Sequence, residues 1–335
     1  MKTKRITSLI LALVLALSLC LTGCGSQGGD TQEPAGDSTG SDDAKYTVGI
    51  CQLVQHDALD AATQGFIDAL NEALPGQVKI VEKNASGDSV NCSTIVNGFV
   101  SDGVDLIMAN ATPALTAAAS ATSDIPILGT SITAYGVALD MDDFTGTVGG
   151  NISGTSDLAD LEKQAAMITE WFPEAKKVAL LFCSAEPNSR YQIEEVAKYL
   201  ADAGIETEEY AFTDTNDVAS VAQAACDYAD VIYIPTDNTA AANTEAIANV
   251  LVPAKVPAIC GEEGICAGCG VATLSIDYHQ LGEVTGEMAY DILVKGADPA
   301  TMEIKYAPDT TKMYNADICQ ELGITPPDGY TAIEA

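Results

Sequence analysis

The chain of 335 residues is poor in bases, aromatics and histidine. It carries 15 Lys+Arg against 48 Asp+Glu, 6% aromatic residues, one tryptophan and two histidines, His56 and His279. A formal charge of -33 excludes a nucleic-acid binder, because grip on phosphate backbones needs clustered Lys and Arg. An anionic membrane surface would repel the chain likewise. With so few aromatics, the core must be aliphatic. The two histidines and a lone CxxC at Cys266 and Cys269 do not make the Cys/His set of a structural zinc site. GxSxG elbow, HExxH and Gly-rich phosphate loop are all missing, so neither an enzyme nor a bound cofactor is expected.

What is present is a globular composition, 47% hydrophobic and 19% charged, at a length that suits about two domains. The first 23 residues stand apart. A basic start, Met1 to Arg5, precedes a 16-residue apolar run from Ile6 to Leu21. That run is short for a membrane span, which needs about 20 residues, and fits a secretory signal peptide. Leu21-Thr22-Gly23-Cys24 resembles the lipobox of bacterial lipoproteins, which implies cleavage before Cys24 and its acylation, and so a membrane anchor. Residues 25–44 hold five acids, no base and no aliphatic side chain larger than Ala, the composition of a flexible tether. Loss of residues 1–23 removes three bases, leaving 12 Lys+Arg against 48 Asp+Glu.

From residue 46 onward β-rich runs alternate with amphipathic helical patterns. Strands are expected at 46–53, 78–83, 104–109 and 125–130, with helices at 58–74, from 89 and from 112. A second series follows: strands at 177–183 (KVALLFC), 206–212, 230–235 (DVIYIP), 256–260 and 270–276, with helices at 189–203, 217–229 and 239–252. Fully apolar strands between amphipathic helices predict α/β architecture with parallel sheets covered on both faces. Two series predict two doubly wound lobes joined by a hinge, with the irregular stretch 133–155 as the crossover, rather than one barrel.

In open parallel sheets ligands sit beyond the carboxyl ends of the strands. Those positions are Gln52 and His56, Thr112, Thr130 and Ser131 in the first series, and Asn188, Ser189, Asp237 and Glu262 in the second. Hydroxyls and helix N-termini suit a carboxylate, and an acid such as Asp237 suits an ammonium, so together they would suit a zwitterion. The same residue types are ordinary helix N-caps, so only their convergence argues for a site.

Several motifs carry a resemblance. The stretch 52–60 (QLVQHDALD) with Gly65-Phe66, Ala109-Asn110-Ala111-Thr112-Pro113, 151–157 (NISGTSD), 186–192 (EPNSRYQ), 235–238 (PTDN) and 276–282 (IDYHQLG) resemble the tryptophan/tyrosine-type substrate-binding proteins of ABC transporters. The likeness implies a type I periplasmic-binding-protein fold: an N-terminal lobe of residues 45–155 plus 278–307 and a C-terminal lobe of 156–277 plus 308–335, closing on a ligand. It implies a monomer that delivers a small solute, an amino acid of the aromatic class, to an ABC permease and ATPase complex. By matching position, the ligand contacts would be drawn from Gln52, His56, Thr112, Thr130, Ser131, Asn188, Ser189, Asp237 and Glu262. The segment 264–270 (GICAGCG) departs from the plain polar loop of that pattern.

Two other readings remain at this point, a ligand sensor for a signalling receptor and an extracytoplasmic redox protein using Cys266 and Cys269. The second is weakened because thioredoxin-like pairs open a helix after a strand, whereas 264–270 reads as a loop. Cys51, Cys183, Cys226 and Cys260 fall on apolar positions and read as small core residues.

Overall fold

The computed structural model describes residues 37–39, 44–307 and 309–334. The expected signal peptide, Cys24 and most of the expected tether lie outside the described residues. In chain order the first half comprises β1 (Asp37–Thr39), β2 (Tyr46–Gln52), α1 (Asp57–Ala73), β3 (Val78–Asn84), α2 (Ser89–Asp102), β4 (Leu106–Asn110), α3 (Thr112–Ala121), β5 (Ile127–Thr130), α4 (Tyr135–Ala138) and β6 (Ile152–Ser156). Then come α5 (Leu161–Trp171), β7 (Lys177–Cys183), α6 (Pro187–Asp202), β8 (Glu206–Phe212), α7 (Val218–Tyr228), β9 (Val231–Ile234), α8 (Asn238–Ala241), α9 (Thr244–Ala254), β10 (Ala258–Cys260), α10 (Glu263–Cys269) and β11 (Ala272–Ser275). The chain ends with α11 (Tyr278–Lys295), a single 3-10 turn, β12 (Lys305–Tyr306), β13 (Thr311–Tyr314), α12 (Ala316–Leu322) and β14 (Thr331–Ala332).

These strands form two seven-stranded sheets, ordered β1-β3-β2-β4-β5-β6-β12 and β14-β13-β11-β10-β9-β7-β8. Pairing from β3 through β12 in the first sheet, and from β8 through β11 in the second, is parallel throughout. The expected α/β class with two parallel sheets is thus what the chain adopts. The chain passes between the sheets three times, after β6, after β11 and after β12. The central strands β4 and β9 are buried along their whole length. Helices on both faces do this, which is why their sequences carry no polar alternation.

Four expectations need correction. The stretch 133–155 is not the crossover, since it contains α4 and most of β6 and belongs to the first sheet. β6 reads ISGTS and lacks an apolar signature because its hydroxyls are bonded inside: Thr155 Oγ1 lies 3.0 Å from Thr130 Oγ1 and 2.8 Å from Thr285 Oγ1 of α11. Cys266 and Cys269 lie on α10, not in a loop. There the Glu262 side chain caps the helix by accepting from Gly264 and Ile265 N–H at 2.6 and 2.5 Å, which outweighs the poor helix propensity of two glycines. The helix expected at 239–252 is two helices, parted at Ala242-Asn243, where the Asn243 amide bonds the Thr239 carbonyl at 2.7 Å. Within the expected tether, Asp37–Thr39 pairs antiparallel with β3, because backbone hydrogen bonds on an edge strand need no apolar side chain.

In the first lobe α1 and α11 pack backbone to backbone. A Cβ on Gly65 would collide with the His279 carbonyl, and one on Gly282 with the Ala62 carbonyl. This contact carries α11, which follows the second lobe in sequence, onto the face of β5 and β6. It also sets Tyr278, the first residue of α11, at a passage between the lobes.

Candidate ligand cleft between the lobes

The carboxyl ends of both sheets face one another, and α4 touches α6 while α1 touches α10. Three grooves run between the lobes, of about 310 Å³ beside Leu53, Glu186 and Asn238, about 490 Å³ beside Ala58, Glu262 and Tyr278, and about 400 Å³ beside Thr112 and Pro187. All three lie in the range of small-molecule pockets.

On the first-lobe side, consecutive strands end in strained backbone. Ser86, Ala111 and Ser131 adopt φ of 56°, 86° and 55° directly beyond β3, β4 and β5. Left-handed backbone at a non-glycine residue costs of order 1–3 kcal/mol and concentrates where a site demands a particular geometry. The Ala111 N–H is held by the Thr130 carbonyl at 3.1 Å, which ties two of these ends together.

Each expected contact residue has a definite place. Gln52 is occupied within its lobe: its Nε2 donates to Val54 O at 2.9 Å and Asp60 Oδ1 at 2.6 Å, and its Oε1 accepts from Thr63 at 2.6 Å. Thr130 belongs to the buried threonine cluster with Thr155 and Thr285. Thr112 is buried at the start of α3. His56 faces across the cleft to Asn238. Asp237, read from sequence as an ammonium partner, has its Oδ2 on Cys183 N–H at 2.7 Å and its Oδ1 on Ala240 N–H at 2.8 Å, so it caps α8 and pins β7. Burial, then the neighbouring Glu186 charge, pushes its pKa up to about 8. Glu262 caps α10 in the same manner, and burial pushes it up to about 7. Ser189 is fully buried beside Asn188, whose Nδ2 donates to the Thr236 carbonyl at 3.2 Å.

Four buried polar atoms on the cleft walls have no hydrogen-bond partner among the described residues: Asn110 Oδ1, Ser131 Oγ, Asp157 Oδ1 and Asn188 Oδ1. A chain of contacts links two of these residues, Asp157 and Asn188. Tyr278 OH donates to Asp157 Oδ2 at 3.1 Å, Tyr278 also reaches Thr236, and Thr236 meets Asn188. Thr133, two residues beyond Ser131, faces the same Asp157 carboxylate. Burial pushes the Asp157 pKa up, while the Thr133 and Tyr278 hydroxyls pull it down. A buried polar atom left unmade costs about 1–3 kcal/mol, so such a cluster is where a ligand gains most.

Sequence reasoning missed Asp157 because β6 was not seen as a strand and its end was not inspected. It also missed Glu186, which accepts from Asn238 and Thr239 at 2.7–3.0 Å. Among the described residues the buried charged side chains are Asp157, Glu186, Asp237 and Glu262, and none is a base. Of the tyrosines near the strand ends, Tyr135 is a packing residue, its OH on the Gly129 and Thr155 carbonyls. Tyr191 is half-buried on α6.

The CxxC offers no nucleophile. Cys266 and Cys269 are buried free thiols, and Cys269 donates to the Ile265 carbonyl at 3.2 Å. Burial pushes the adjacent Cys260 thiol far above the usual range, the setting of an inert cysteine.

The family model of ABC transporter substrate-binding proteins matches residues 47–332. A tyrosine-binding protein of Clostridioides difficile is 34% identical over 328 residues, covering 96% of this chain and 93% of that protein. An ABC domain from Streptococcus pneumonia in complex with L-Trp superposes with TM-score 0.82 at 33% identity, covering 87% of this chain and 100% of that one. A substrate-binding protein with adhesive properties from Clostridium difficile, in its ligand-free, open structure, superposes with TM-score 0.66 at the same 33% identity, covering 86% and 99%. The chain belongs to the ABC transporter substrate-binding protein family, whose members are extracytoplasmic solute-binding proteins that serve a transporter and are not enzymes.

Proposed function

We propose that this protein captures an aromatic amino acid, tyrosine or tryptophan, between its lobes and delivers it to a membrane permease. The observation that carries the reading is the set of unpartnered buried atoms at the passage between the sheets, Ser131 Oγ, Asp157 Oδ1 and Asn188 Oδ1. Two of them are acceptors beside a carboxylate, which suits an ammonium, and the third is a hydroxyl that can donate to a carboxylate. The aromatic class is supported by the tyrosine-binding relative and the tryptophan-bound neighbour. The lobes, residues 45–155 plus 278–307 and 156–277 plus 308–335, move as two bodies about the three passages, and contacts completed only on closure stabilise the bound state. Cys24 carries the lipid that holds the protein at the membrane, with residues beyond it as the tether.

Thermal unfolding against a panel of amino acids, nucleosides and sugars tests the assignment. Ligand at 100 times its Kd adds about 2.7 kcal/mol. A shift with tyrosine, tryptophan or both, and none with the other solutes, is the expected result. A shift with a sugar or nucleoside alone keeps the transport role and overturns the aromatic ligand.

A further inference from the structure

Of the four unpartnered buried atoms on the cleft walls, Asn110 Oδ1 has no role in holding the zwitterion proposed above. Its direction is fixed from behind. Asn110 Nδ2 donates to the Leu59 carbonyl at 2.8 Å and to Thr63 Oγ1 at 3.0 Å. The carbonyl can only accept, and Thr63 donates its own proton to Gln52 Oε1 at 2.6 Å, so it too accepts from Asn110. Gln52 in turn is oriented by two acceptors, Val54 O at 2.9 Å and Asp60 Oδ1 at 2.6 Å. Every step of this relay runs one way, from Asn110 through Thr63 and Gln52 to Asp60. Both amide hydrogens of Asn110 are therefore used inside the lobe. What remains is a fully buried amide oxygen without a partner among the described residues, and such an atom selects a donor.

Strand order decides which donor. Asn110 ends β4, Ser131 follows β5 and Asp157 follows β6, and these three strands are neighbours in that order. The backbone at Asn110 and that at Asp157 are thus two strand spacings apart, about 10 Å. An ammonium at Asp157 and a carboxylate at Ser131 leave Asn110 for the far end of the solute. Apolar surface lies beside it there. The Leu53 N–H bonds the Asn110 carbonyl at 3.2 Å, and Leu53, Val54, Pro113 and Ala185 line the groove of about 310 Å³ between the lobes. The rings of tyrosine and tryptophan each carry one donor, O–H or N–H, and that of phenylalanine carries none.

We propose that Asn110 is a specificity-determining residue that accepts a hydrogen bond from the ring of the solute, admitting tyrosine and tryptophan and rejecting phenylalanine, and that Gln52 is its positioning residue. Ring selection of this kind rests on the solute being an aromatic amino acid, as proposed above. When phenylalanine binds, the Asn110 oxygen stays buried and unmade, and sites built around a donor discriminate strongly against analogues that lack it.

Calorimetric titration of wild type compares L-tyrosine with L-phenylalanine, and L-tryptophan with 3-benzothienyl-L-alanine, in which sulfur replaces the indole N–H. Each analogue without the donor should bind about thirtyfold or more weakly than its parent, and a smaller difference for both pairs means that water satisfies Asn110 and overturns the assignment. Asn110→Leu removes the acceptor, so tyrosine should fall to the affinity of phenylalanine while phenylalanine binds at least as well as it does to wild type. An equal loss for both would place Asn110 behind the ammonium or the scaffold and overturn the ring contact. Gln52→Leu leaves Thr63 without its acceptor and frees the relay to reverse, so it should narrow the ratio of tyrosine to phenylalanine affinity. A merely structural Gln52 would weaken both solutes by the same factor. Circular dichroism checks that each variant is folded, and the wild-type comparison decides the ring contact even where a variant does not fold. Failure of all four solutes to bind wild type is a different outcome: the aromatic reading itself falls, and the ring contact with it.

Discussion

The two walls of the cleft are built from different chemistry. The first lobe offers neutral groups, Gln52, Asn110, Thr112, Thr130 and Ser131, largely tied to one another across β2, β4, β5 and α1. The second lobe offers three buried carboxylates, Glu186, Asp237 and Glu262, each taken up by backbone N–H groups of the following turn or a neighbouring loop. The first wall is held in shape by hydroxyl and amide networks and by strained backbone, and changes little with pH. The second is held by buried acids, two of which, Asp237 and Glu262, are pushed by burial up to about 8 and about 7. Buried charge in the cleft is consequently one-sided among the described residues, with Asp157 at the passage between them. A zwitterion would turn its carboxylate to the first wall and its ammonium to Asp157.

Asp157→Asn attacks that polarity and should have the largest effect. Truncating one partner of a buried charged pair costs about 2–5 kcal/mol, a loss in affinity of roughly thirtyfold or more. The amide keeps an acceptor for Tyr278 but turns a donor toward the ammonium. Calorimetric titration with tyrosine or tryptophan, on a variant whose circular dichroism is unchanged, measures the loss. An affinity within threefold of wild type would mean that the ammonium lies elsewhere and that the two walls do not differ in the way described.

Gly282→Ala tests the scaffold behind the neutral wall. The new methyl would meet the Ala62 carbonyl of α1, and backbone must move to admit it. Overpacking of this kind costs about 1–3 kcal/mol, read as a lower Tm in a thermal melt. Because α1 carries Thr63 and Asp60, the partners of Gln52, affinity should fall with stability. If Tm drops and affinity holds, the first wall is less dependent on the α1–α11 contact than its hydrogen bonds indicate.

What could be read from sequence follows the same division. Strands such as KVALLFC and DVIYIP announce themselves because burial on both faces makes them continuous apolar runs, and the second sheet was legible nearly strand by strand. β6 was not, since ISGTS is buried through hydroxyls whose partner Thr285 lies 130 residues away. With β6 went Asp157. Polar residues after strands were identified as a class, but their roles depend on pairs distant in sequence. Glu186 is bound by Asn238 and Thr239, 52 and 53 residues on, and no local signal separates it from a solvated loop acid. The capping of α8 by Asp237 and of α10 by Glu262 is local chemistry, and it settled which acids already have partners.

Glu262→Gln gives the smallest and sharpest test, because it touches only the pH response of the acidic wall. Burial raises the Glu262 pKa from its ordinary 4.5 to about 7, so the folded protein holds this proton more tightly than the unfolded chain does. A group raised in this way contributes stability that is fully present below about pH 4.5 and is lost as pH climbs toward 7. Glutamine cannot titrate but keeps an oxygen for the Gly264 or Ile265 N–H, so the cap persists in weaker form. In melts taken at intervals from pH 4.5 to 8, wild type should lose Tm more steeply than the variant between pH 4.5 and 7, and the two curves should run parallel above that. Equal slopes for wild type and Glu262→Gln would show that the two N–H bonds hold the carboxylate charged in the folded protein, and the contrast between the walls would reduce to Asp157 and Asp237.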